Sequence, residues 1–259
     1  MGLLTHERYC DEIIRLTGEL RATLRDADLG ATVPTCPDWT LRELAGHVGR
    51  AHRWAGEIVR TRAAEAVPDE KVPDNSPGSD DPAALDAWLA DGAAGTVAAL
   101  REAGPDAGVW SWAWDHSAGF WARRMALETV VHLADAALAA RVPYTMTPEL
   151  AADTIDEWLE IVRFAQDAYP DRENGELRAD GRTLHLHATD VPGAEWLIEL
   201  GADGVTWSRA HGKADVALRG TLTDVMLVFN RRLAPDSDRV EVLGDAGLLD
   251  FWLARTSFG

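Results

Sequence analysis

Apolar positions recur at helical spacing through roughly the first 170 residues. Ile13, Ile14, Leu16, Leu20 and Leu24 form one apolar stripe at helical spacing, which predicts an amphipathic helix. A proline-bearing turn, VPTCPDW, ends that pattern. A second helix is expected from Thr40, where Thr40-Leu41-Arg42-Glu43 has the form of a capping box, with hydroxyl and carboxylate satisfying free backbone donors reciprocally. Leu44, Val48, Ala51, Ala55 and Ile58 make its inner face. After a stretch rich in Pro, Asp and Gly near 67–82, Asp81-Pro82 suits a third helix start, with Leu85, Trp88, Leu89, Val97 and Leu100 facing inward. A fourth pattern spans about 118–141, and Thr147-Pro148-Glu149 opens a fifth reaching about Tyr169.

The period then changes from helical to two. Leu184, Leu186 and Ala188 alternate with His185 and His187, and short apolar runs follow at 195–200, 204–208 and 214–219, punctuated by Gly201, Gly204 and Gly212. This texture predicts strands of a small sheet. Two helical patterns close the chain, one with Leu222, Val225, Met226 and Phe229, the other with Leu248, Leu249, Trp252 and Leu253. The expected fold class is α+β: an up-and-down four-helix bundle over residues 1–145, then a linking helix and a small α+β domain over 146–259.

Composition narrows the functions open to such a chain. A 259-residue chain with 46% apolar residues buries a real core, and it contains no run near the ~18 apolar residues of a membrane span. The start, MGLLTHERYCDEIIRL, is charged within its first turns and lacks a signal-peptide core, so a cytoplasmic protein is expected. A net charge of −18, with 25 scattered Lys and Arg, opposes binding to nucleic acid or anionic membrane and favours small-molecule partners. Cys10 and Cys36 are expected as free thiols, without the CxxC spacing of a zinc or redox site. Monomer and homodimer both fit.

The candidate chemistry lies in the bundle. Glu128 and His132, four apart on a predicted helix, share one face. His47 follows Leu44 by three and precedes Ala51 by four, so it points toward the interior side of the second helix. Two imidazoles and a carboxylate from facing helices make a metal site with open positions, the catalytic rather than the structural kind of zinc site. By spacing alone a Glu and a His four apart are common on helices, and a partly buried His beside an exposed Glu is the bland alternative.

The surrounding segments change that balance. Pro34-Thr35-Cys36-Pro37-Asp38-Trp39-Thr40-Leu41-Arg42-Glu43-Leu44 with Gly46-His47-Val48-Gly49 resembles the opening of the mycothiol-dependent maleylpyruvate isomerase family, and residues 120–132, FWARRMALETVVH, resemble its second metal segment. Residues 184–190 (LHLHATD), Glu195-Trp196-Leu197, residues 211–216 (HGKADV) and 240–245 (VEVLGD) are similar to its C-terminal domain. The resemblance implies a DinB-like metal-binding bundle and a sterol-carrier-like second domain. It also implies a divalent metal, usually zinc, on His47, Glu128 and His132, although His with carboxylate also accepts nickel, iron or manganese. The implied cofactor is mycothiol, an actinobacterial-type thiol whose thiolate adds to an activated double bond before rotation and elimination. The implied activity is an isomerase or, if the reaction stops after addition, a thiol transferase acting on a small electrophile. A zinc-dependent hydrolase and a non-catalytic small-molecule or lipid-binding protein are the alternatives. Leu127 departs from the family pattern, in which many relatives carry a histidine before the glutamate.

Other residues have weaker claims. His52, five after His47, is expected on a different side of the helix, and His116 as a solvated loop residue. Trp110, Trp112 and Trp114, among 11 tryptophans, suit either a pocket wall or packing between domains. Asp135, one turn beyond His132, suits orientation of that ligand or a surface position. Arg231 and Arg232 end a predicted helix and are candidates, catalytic for Arg231 and cofactor-binding for both, to reach a carboxylate of mycothiol or substrate; the helix dipole explains them as well. His185 and His187 are expected on the exposed face of a strand.

Overall fold

The computed structural model describes residues 3–179 and 181–257. The chain divides into two compact units, one ending at Tyr144 and the other starting at Thr145. Four helices build the first: α1 (His6–Arg25), α2 (Leu41–Arg60), α3 (Pro82–Ala103) and α4 (Ala118–Ala140). Each starts on an oxygen-bearing cap. Thr5, Asp81 and Ser117 accept from backbone N–H groups of α1, α3 and α4, and Thr40 with Glu43 forms the full capping box of α2. The apolar stripes meet in one core that includes Ile13, Leu16, Leu20, Leu44, Ile58, Leu89, Leu100 and Trp121. Ile14, counted on the α1 stripe, stands 43% exposed.

The bundle is present, but its helices do not simply alternate up and down. His6 meets the Leu100 carbonyl while Arg21 pairs with Asp86, so α1 and α3 are antiparallel. Thr96 bonds the His52 carbonyl and Arg53 the Trp88 carbonyl, and Gly49 and Gly56 face Trp88 and Thr96, so α2 and α3 run the same way. With His47 against His132 and Trp54 against Trp121, α4 opposes α2, and the order is up, down, down, up. The 61–81 connection is long enough to return along the bundle, since 20 or so extended residues reach well beyond a 22-residue helix of about 33 Å. Close approach of α2 and α3 depends on glycine: a Cβ at Gly49 would lie 2.1 Å from the Trp88 ring. Between α1 and α2 the chain forms a short antiparallel pair, β1 (Thr32–Val33) and β2 (Cys36–Thr40), at the end of α2 that holds His47.

The second unit begins with α5 (Pro148–Ala168) and contains β3 (Arg182–Ala188), β4 (Glu195–Gly201), β5 (Gly204–Ser208), β6 (Val216–Gly220) and β7 (Val240–Gly244), with α6 (Leu222–Phe229) and α7 (Ala246–Arg255). The sheet order is β5-β4-β3-β6-β7, antiparallel except for the parallel β3–β6 pair. One face carries Leu184, Leu186, Trp196, Ile198 and Leu218, all buried. The Trp196 indole donates to Asp156 on α5 at 2.7 Å, and Arg209 covers the same ring.

Candidate metal centre

α2 and α4 face each other, and their facing positions bring His47, Glu128 and His132 together. His47 Nε2 lies 3.1 Å and His132 Nε2 3.0 Å from the same oxygen, Glu128 Oε1. One candidate ligand atom from each residue lies within 4.8 Å of the others. The i, i+4 spacing on α4 is the reason Glu128 and His132 meet, and α2 supplies His47 from across the bundle. The other Glu128 oxygen is ion-paired to Arg124, one turn earlier on α4.

Behind His132 stands Asp135, fully buried, whose Oδ2 is 2.9 Å from His132 Nδ1. Asp135 is held in turn by the Thr35 hydroxyl at 2.5 Å, from the turn between β1 and β2. Trp39 on β2 lies against the His47 ring at 4.9 Å between centroids. Thr35, Trp39 and Arg124 are the members of this site that sequence reasoning left unassigned. Arg124 was accessible by the same four-residue spacing, whereas the short hairpin that places Thr35 and Trp39 has no periodic signal.

The donor chemistry favours a cation at the centre. A neutral imidazole has one N–H, and the buried Asp135 carboxylate takes it at Nδ1. With the neutral ring's proton at Nδ1, His132 Nε2 offers its lone pair to the same space as Glu128 Oε1, 3.0 Å away, a donor set that would hold a cation placed there. For His47, burial first, then the neighbouring His132, Arg50 and Arg124, pushes the imidazole pKa down to about 4, so this ring is neutral at pH 7 and able to ligate. The residues present therefore fit a divalent metal, with Asp135 orienting one ligand and Arg124 leaving Glu128 a single free oxygen.

The remaining candidates fall elsewhere. His52 is fully buried and bonds the Thr129 hydroxyl at 2.9 Å, away from the three-residue set. His116 Nδ1 accepts from the Ser111 backbone at 3.2 Å. Trp110 packs with Trp54 and Trp121, and Trp112 and Trp114 lie edge-on to Phe120, building an aromatic cluster at the start of α4. Leu127 is buried in the bundle core. Arg231 and Arg232 follow α6 in the second unit; Arg231 adopts φ 64° and is exposed, and Arg232 bonds the Asn230 carbonyl. On the sheet, His185 is buried rather than exposed. Both cysteines are free. No helix among the described residues is long and apolar enough to cross a membrane.

Residues 10–137 match the mycothiol maleylpyruvate isomerase N-terminal domain, and residues 149–251 match the MDMPI C-terminal domain. The crystal structure of the mycothiol-dependent maleylpyruvate isomerase is similar at 19% identity, covering 92% of this chain and 93% of that one, with a TM-score of 0.56. That of a histidine-to-alanine mutant of it gives 18%, the same coverage and 0.57. At such identities the likeness concerns the fold. No curated protein matches the sequence. With both domain types present in order along the chain, this protein belongs to the mycothiol maleylpyruvate isomerase family.

Proposed function

We propose that the bundle holds a divalent metal, zinc by ligand type, on His47, Glu128 and His132, and that the protein is a mycothiol-dependent isomerase or thiol transferase for a small electrophile. The observation that carries this reading is the pair of imidazole nitrogens aimed at one carboxylate oxygen, with one imidazole turned by a buried aspartate. When bound, the metal stabilises a thiolate at neutral pH and so supplies the nucleophile. The chain's own residues do the rest. Asp135 fixes the His132 tautomer, Arg124 balances the Glu128 charge, and the Trp39 ring excludes water from one side of His47. Three protein ligands leave room for a thiol. Family membership supports mycothiol as that thiol.

His132→Ala tests the reading. We expect loss of one equivalent of zinc by elemental analysis, and loss of mycothiol-dependent isomerisation of maleylpyruvate or conjugation of a related electrophile. Thiol-dependent turnover that persists in this variant would overturn the metal assignment. Zinc-dependent ester hydrolysis without any thiol would replace the thiol chemistry with activation of water.

A further inference from the structure

A second set of donors lies on the sheet. In the β3–β4 register His187 stands directly opposite Glu195, and His185, two residues earlier on the same face, lies on the diagonal. The segment after β5 brings in His211. Three imidazole nitrogens converge on one atom, Glu195 Oε2: His185 Nε2 at 2.8 Å, His187 Nδ1 at 3.1 Å and His211 Nδ1 at 2.6 Å. The rings pack edge-on at 5.2–5.9 Å between centroids, and one candidate ligand atom from each of the four residues lies within 4.8 Å of the others.

This convergence exceeds what hydrogen bonding explains. One carboxylate oxygen has two lone pairs, and three nitrogens crowd around it. A surface glutamate forming an ordinary ion pair needs one histidine. We infer that His185, His187, Glu195 and His211 form a second metal site, for a borderline divalent ion such as zinc, separate from the bundle set. Ligands around a tetrahedral zinc at about 2.0–2.1 Å are about 3.3 Å apart, so each of the three short separations, 2.8, 3.1 and 2.6 Å, needs to open by less than about 1 Å. His185 is buried and Glu195 half-buried, while His211 is 74% exposed at its side chain, so the site is closed from the solvent side by one mobile-length side chain on a loop. Four protein ligands fill a tetrahedral shell, the arrangement of a holding site rather than a catalytic one. Such an ion ties the 209–215 segment to strands β3 and β4.

The test is zinc stoichiometry on the full-length chain, with cobalt(II) as the spectroscopic probe. In a His47→Ala/His132→Ala background, one equivalent of zinc should remain, and cobalt should give the visible absorption of a tetrahedral ion. Adding His187→Ala/His211→Ala should remove both signals. These two side chains are the more exposed members, and circular dichroism of each variant checks that the sheet survives; the same pair placed in the wild-type chain should lower stoichiometry by one. If the bundle set alone fails to bind, the wild type holds one equivalent that only the sheet pair abolishes. Zinc-free protein in the His47→Ala/His132→Ala background, with the sheet set intact, overturns the inference.

Discussion

In the bundle, two imidazoles share one carboxylate oxygen, a buried second carboxylate turns one of them, and a guanidinium neutralises the remaining oxygen. On the sheet, three imidazoles share one carboxylate oxygen and reach it from a strand and a loop. The first cluster sits on two capped helices, α2 with its capping box and α4 with Ser117, with Asp135 and Thr35 behind it. The second is built across a hairpin and ends on an exposed side chain. Similar donors thus come in two arrangements: one on helices and oriented by a buried carboxylate, the other spanning two strands and a loop.

Acid should separate the two regions most. In the bundle, burial pushes His47 and His52 each down to about 4. On the sheet, burial lowers His185 while Glu195 pulls it back up. For His52 the unfolded chain binds a proton below about 6.5 and the folded chain only below about 4. Folding stability is therefore full above 6.5 and falls as pH drops toward 4. The slope gives a loss of about 2 kcal/mol between pH 6.5 and 5 from His52 alone. Denaturant titrations of metal-free protein at those two pH values should show it, and His52→Gln should reduce the difference while leaving the part due to His47. Stability that stays level over this range, or a sheet region that unfolds first, breaks the contrast.

A smaller effect tests whether orientation distinguishes the sites. Asp135→Asn keeps the shape of the side chain but allows the amide to face His132 either way. Loss of such an outer partner typically weakens metal binding by about 10- to 100-fold. Zinc titration with a competing chelator should find that loss at the bundle site, with binding at the sheet unchanged. Equal weakening of both would deny the sites their independence.

These two clusters were not equally legible in the sequence. Helical period puts Glu128 and His132 on one face and His47 toward the interior of its helix, because a helix fixes which residues share a face, and the resemblance of the surrounding segments singles them out as a set. The sheet cluster follows from pairing, which the alternation of His185 and His187 does not reveal. The alternation says that both point one way, and reads equally well as surface. Only the register that sets His187 opposite Glu195, and the loop that returns His211, gives the face a purpose. Helix direction has the same origin. Capping and stripes locate α2 and α3, but nothing in them says that the 61–81 connection returns along the bundle and leaves the two parallel. Local pattern carried the elements, the resemblance of the flanking segments carried the bundle set, and long-range pairing decided the rest.

The smallest effect is expected at His211, and its size is the argument. A side chain 74% exposed contributes little packing, so His211→Ala should change metal-free folding stability by no more than about 0.5 kcal/mol. Zinc binds only the folded arrangement of four donors, so added zinc should raise the melting temperature of the chain by mass action. In His211→Ala that part of the zinc-induced rise contributed by the sheet should shrink, while the part contributed by His47, Glu128 and His132 remains. Differential scanning calorimetry with and without zinc, on the wild type and on His211→Ala, measures both quantities together. A variant that is already unstable without zinc would make His211 a packing residue, and a zinc response equal to wild type would make it a bystander. A normal metal-free transition with a reduced zinc response is the combination that only a ligand produces.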